Sequence, residues 1–173
     1  MVSEPSGENE MIVKFRGNFN FNGLYELLFS WLKDRHYRPV EKKHKEKAGG
    51  DGREVEIDME GELEVTEYIN YKVGFSIHAW DMKTVEVKEG DEVKSMDWAR
   101  LEVKLKGQII MDPKNKIPSK TGILGAMDTF LKKVALWREI EFMHDDHLMI
   151  TVGKVQVLVK KFLNMDSGES AFG

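Results

Sequence analysis

The sequence predicts an α+β protein: a long antiparallel β-meander covered on one face by about three helices, in the order β-α-β-β-β-β-α-α. Two observations carry this. From Arg53 to Asp112, apolar and polar residues alternate strictly over long runs, which marks pleated strands with one face in a core and one in water. On either side of that block, apolar residues recur at helical spacing, which marks helices that lie on a core.

Taken in order, residues 1–9 are polar and form an expected loose arm. Residues 10–165 are expected to make a single domain, and 166–173 a loose tail. Met11, Val13 and Phe15 alternate with Ile12, Lys14 and Arg16 in a short first strand. Leu24, Leu27, Leu28, Trp31 and Leu32 then follow the i, i+3, i+4, i+7, i+8 pattern of an amphipathic helix, with Asn22 or Gly23 as its cap. Pro39 closes that segment. Residues 40–47 read as a linker or a polar edge strand. Ala48-Gly49-Gly50-Asp51-Gly52 is a turn signal, which favours a hairpin with Lys43, Lys45 and Lys47 facing the glutamates of the next strand.

That next strand alternates Val55, Ile57, Met59, Gly61, Leu63 and Val65 with Glu54, Glu56, Asp58, Glu60, Glu62 and Glu64. A second long strand carries Ile69, Tyr71, Val73, Phe75, Ile77 and Ala79 on one face, and Trp80-Asp81 marks a bend or bulge. Glu89-Gly90-Asp91-Glu92 is a hairpin turn. The returning strand sets Leu101, Val103, Leu105, Ile109 and Met111 against Arg100, Glu102, Lys104 and Lys106. Pro113 and Pro118 bracket a loop. Ile123, Met127, Phe130, Leu131, Val134, Trp137 and Ile140 predict one helix. Leu148, Val152, Val155, Val159 and Phe162 predict another, separated from it at His144–His147. Residues 148–152 also suit a strand, because valine favours strands.

A chain of 173 residues with net charge −4 and no cysteine can bury a core. It excludes disulfides and thiolate metal sites, and it offers no general attraction to nucleic acid or anionic membrane. No apolar run is long enough to span a bilayer. Met1–Glu10 lacks the cationic start and apolar stretch of a secretory signal, so a cytoplasmic location is expected.

Candidate sites are few. His144, Asp145 and His147 offer imidazoles and a carboxylate within four residues, a possible divalent-metal cluster. The competing explanation is a helix end, with Asp145 or Asp146 as the next N-cap. The acidic row Glu54, Glu56, Asp58, Glu60, Glu62 and Glu64 could dock a basic partner, and the bland alternative is a solvated face that blocks edge-to-edge aggregation. Four lysines in residues 41–47 could meet phosphate, but Glu41 and Glu46 interrupt them and no aromatic residue is interleaved, which disfavours nucleic acid. No phosphate loop, dinucleotide motif, zinc-protease motif or nucleophile elbow is present. No catalytic residue is assigned and no cofactor is expected.

Phe19-Asn20-Phe21-Asn22-Gly23-Leu24-Tyr25, Trp31-Leu32-Lys33-Asp34, Val65-Thr66-Glu67-Tyr68 and Trp80-Asp81-Met82-Lys83 resemble a group of small archaeal α+β proteins. That group has no assigned activity, so no residue acquires a role from it. The leading expectation is a non-catalytic interaction or structural protein, a subunit of a larger or homo-oligomeric assembly whose partner is another protein or a second copy. The alternative follows from the element order, which resembles that of the helix-grip folds, in which a curved sheet wraps a C-terminal helix around an apolar cavity. A small apolar ligand would then be lined by Phe75, Ile77, Val103, Leu105, Phe130 and Trp137.

Overall fold

The structure is a computed structural model in which residues 9–66, 69–111 and 123–165 are described, with backbone course alone for residues 9, 123–137 and 139–142. The order is β1 (Asn9–Phe19), α1 (Phe21–Asp34), β2 (Arg38–Gly49), β3 (Gly52–Thr66), β4 (Ile69–Glu89), β5 (Glu92–Met111) and α2 (Ile123–Phe162). The predicted class stands, as a five-stranded antiparallel sheet with helices. Of the expected arm at 1–9, residues 1–8 lie outside the described residues and Asn9 begins β1; the expected tail at 166–173 also lies outside them.

The strands lie in the order β1-β5-β4-β3-β2. β1 therefore sits at one edge and β2 at the other, and α1 carries the chain between them. Four gaps of about 4.8 Å span roughly 19 Å, and 14 helical residues rise about 21 Å, so a single helix of this length makes the crossing. Its N-cap is Asn20, whose side chain accepts a hydrogen bond from the Gly23 N–H at 2.9 Å. This corrects the expected cap at Asn22 or Gly23. Starting the helix earlier buries Phe21 along with Leu24, Leu28, Trp31 and Leu32. At the other end Tyr37 N–H donates to Leu32 C=O and His36 N–H to Lys33 C=O, with His36 at φ 64°. This is a Schellman closure at a position where glycine is usual.

The basic strand pairs with the acidic one as a hairpin. Lys43 stands opposite Asp58, Lys45 opposite Glu56 and Lys47 opposite Glu54, so the charges alternate in sign across one face. In β4, Asp81 adopts φ 56° and Asp81 and Met82 together oppose Ala99. That is a β-bulge with its first residue left-handed, and it turns Met82 into the core.

Inward residues form rows across the strands. Ile57, Ile77, Val103 and Val13 make one row, and Met59, Phe75, Leu105 and Met11 the next. The row beyond holds Gly61, Val73 and Gly107. Here the helices come close to the sheet. A Cβ on Gly61 would lie 2.8 Å from Leu32 Cδ2 and 2.9 Å from Tyr37 Cβ, at the end of α1. A Cβ on Gly107 would lie 3.0 Å from Leu148 Cγ and 3.1 Å from Val152 Cγ2, on α2. Two glycines with Val73 between them thus seat the two helices on the same face.

Among the described residues there are two helices, not about three. α2 runs unbroken for 40 residues through His144-Asp145-Asp146-His147, so neither aspartate caps a new helix there and Leu148–Val152 is not a strand. A break would leave N–H and C=O groups unpaired on both sides, and no proline interrupts Ile123–Phe162. Leu148, Val152, Val155 and Val159 are all buried, and this packing overrides the strand preference of valine. α2 ends with a second Schellman closure, at Asn164 with φ 54°. Among the described residues, no helix is long and apolar enough to cross a membrane.

Candidate docking surface on the last helix

The outer face of the sheet is a charge ladder. Lys43 Nζ meets Glu56 at 2.5 Å, and Glu60 is held between Lys42 at 2.9 Å and Lys72 at 3.0 Å. His78 Nε2 lies 2.7 Å from Glu54, Ser76 donates to Asp58, and Asn70 donates to Glu62. The hydrogen bond from Lys43 holds the Glu56 carboxyl below its usual range. Burial pushes Glu60 up, but Lys42 and Lys72 outweigh that and leave it lowered. Exposed pairs of this kind contribute about 0–1 kcal/mol each. The acidic row is therefore half of a ladder whose other half is supplied by the protein's own side chains, Lys42, Lys43 and Lys72 with His78, Ser76 and Asn70.

On the inner face, Phe75, Ile77, Val103 and Leu105 are packed in the core, with at most 1% exposure. Side chains 130 and 137, also expected to line a cavity, lie outside the described residues. Both histidines of the candidate metal cluster meet Tyr71. The Tyr71 hydroxyl is hydrogen-bonded to His144 Nδ1, and the Tyr71 ring also lies tilted against that of His147 at 6.2 Å. Among the described residues, no group of three or more histidines and carboxylates is placed to hold a metal ion. Burial raises the Tyr71 phenol, and burial followed by the neighbouring Tyr71 pushes Tyr37 up to about 12 against the lowering effect of Arg35. Both phenols are thus neutral at ordinary pH. The hydrogen bond between Tyr71 and His144 ties α2 to the first residues of β4.

The periodicity that revealed the buried face of α2 concealed its other face. Met143, Ile150 and Val157 are 66%, 60% and 52% exposed. They are spaced by seven residues, so they form one row along the helix opposite Leu148, Val152, Val155 and Val159. Exposed His147, Lys154 and Lys161 stand between and beyond them. Such a row on a helix already packed by its other face is a candidate interaction surface.

The surface beside the row is concave. Ile150, Gly153, Lys154, Val157, Leu158 and Lys161 line a hollow of about 390 Å3. It joins at Lys154 and Leu158 a groove of about 570 Å3 between α1 and α2, which Leu27, Trp31 and Phe162 also line. Arg35 lies over the Trp31 ring at 4.5 Å, so the α1 side of the groove is apolar below and charged at its rim.

Comparison with protein-family models and with curated proteins finds no match to this chain.

Proposed function

We propose that this protein is a non-catalytic interaction protein, a structural or assembly subunit that works in the cytoplasm and docks another protein chain on the outer face of α2. The observation that supports this is the row Met143, Ile150 and Val157 standing in solvent, opposite the buried Leu148, Val152, Val155 and Val159. Large exposed apolar side chains in a regular row gain free energy only when something covers them, about 25 cal/mol for each Å2 removed from water. The hydrogen bond between Tyr71 and His144 and the paired outer face support a scaffold role.

The experiment is a stability measurement on dilute protein. Ile150→Glu should leave the unfolding free energy within about 0.5 kcal/mol of the wild type, as surface substitutions do. A loss of more than about 2 kcal/mol would show that Ile150 supports the fold and would overturn the docking proposal.

The carrier alternative has the strand order and the long α2 in its favour, since both resemble the helix-grip arrangement. The full burial of Phe75, Ile77, Val103 and Leu105 favours the interaction proposal. An apolar fluorophore that binds once per chain, with a change in tryptophan emission, would reverse that preference.

A further inference from the structure

We infer that the occupant of the α2 face is a second copy of this chain, with the two α2 helices paired antiparallel about a twofold axis at Ile150. This rests on the docking proposal above and adds the partner and the register.

The row is self-complementary. Met143 and Val157 lie at equal distances along the helix on either side of Ile150, and the row spans about 21 Å. In an antiparallel pair centred on Ile150, Met143 of one copy meets Val157 of the other, and the two Ile150 side chains meet each other. The same operation brings Asp146 opposite Lys154. Both are exposed, and neither has an ion-pair partner among the described residues. Their signs therefore match twice, once on each side of the axis, as an isologous interface requires. A parallel pair in register would instead set Asp146 against Asp146 and Lys154 against Lys154, a like-charge arrangement that disfavours it.

Shape agrees with charge. His147 falls opposite Gly153, where the missing side chain opens the hollow on the helix. Leu158 lines both the hollow and the groove between α1 and α2. A helix seated on the row thus has continuous concave surface beside it, rather than an isolated ridge.

The test follows the mass of the full chain by sedimentation equilibrium from about 1 µM to about 1 mM. The wild type is expected to move towards twice the chain mass, and Ile150→Glu to keep the single mass throughout. Asp146→Lys and Lys154→Asp should each weaken association by about tenfold, because each creates like-charge pairs at both symmetric positions. Mixing these two variants in equal amounts should restore it, since every pair across the mixed dimer is then of opposite sign. The chain has no cysteine, so single introduced thiols report direction. Under oxidation, Met143→Cys should cross-link to Val157→Cys and not to itself.

A wild type that stays at single mass overturns the pairing, as does an Ile150→Glu variant that still dimerises, or Met143→Cys linking to itself. The two charge variants and their mixture test the pairing independently of Ile150→Glu, and a mixture that fails to restore association overturns it as well. The two proposals fail separately. A monomeric wild type with unchanged stability in Ile150→Glu overturns self-pairing and leaves the face for a different chain. Loss of stability in dilute Ile150→Glu overturns the docking surface itself.

Discussion

Phe75→Ala is expected to cost about 3–5 kcal/mol of folding free energy, a large share of the roughly 5–15 kcal/mol that holds a domain of this kind together. Phe75 is 1% exposed and lies mid-sheet between Met59 and Leu105. Its ring meets Trp31 of α1 edge-on, with centroids 5.8 Å apart, and Trp31 in turn stacks on Tyr37. Truncation removes the transfer free energy of the ring and leaves a void that the sheet backbone cannot close. It also removes an aromatic contact that contributes about 0.5–1.5 kcal/mol beyond its area. Denaturant unfolding should show a lower midpoint with little change in slope. A loss below about 1 kcal/mol would mean that α1 does not close over the centre of the sheet.

Gly107→Val is expected to destabilise by about 1–3 kcal/mol, although valine is ordinarily the better strand residue. The sign is the informative part. On an open strand, replacing glycine lowers the entropy of the unfolded chain and stabilises by about 0.5–1 kcal/mol. At Gly107 the new Cβ would come within 3.0 Å of Leu148 and 3.1 Å of Val152, before the two methyl groups of valine are added. Gly74 is the control on the adjacent strand. A Cβ there meets nothing nearer than the Met59 carbonyl oxygen at 4.0 Å, so Gly74→Val should be neutral or stabilising. If both variants stabilise the protein, α2 does not seat on β5 as described.

The sheet was largely legible in the sequence because alternation states a physical condition directly. A residue that faces the core at every second position can satisfy only one register, and the turn at Gly49–Gly52 then set Lys43, Lys45 and Lys47 against the acidic row. Trp80-Asp81 was legible as a bulge for a similar reason, since the alternation fails there. The continuity of α2 was not legible. His144-Asp145-Asp146-His147 has the composition of a helix end, whereas packing against residues far away in sequence, at Gly107 and Tyr71, engages the helix just beyond it and within it. The contact between Tyr71 and His144 spans 73 residues, and no local pattern announces it. The exposed row was present as a seven-residue spacing of Met143, Ile150 and Val157. It was hidden because a periodicity search assigns apolar residues to one face, and α2 carries them on two.

That two-faced helix is tested most directly by the alkylation rates of two single thiols, Ile150→Cys and Val152→Cys, in dilute protein. The positions are two residues apart, so one faces solvent and the other lies buried. Ile150→Cys should react at close to the rate of an unstructured thiol. Val152→Cys should react at least about a hundredfold more slowly, the factor for an opening cost of roughly 2.8 kcal/mol. Equal rates at the two positions would contradict the account, because α2 would then have no buried face and no outward row to offer.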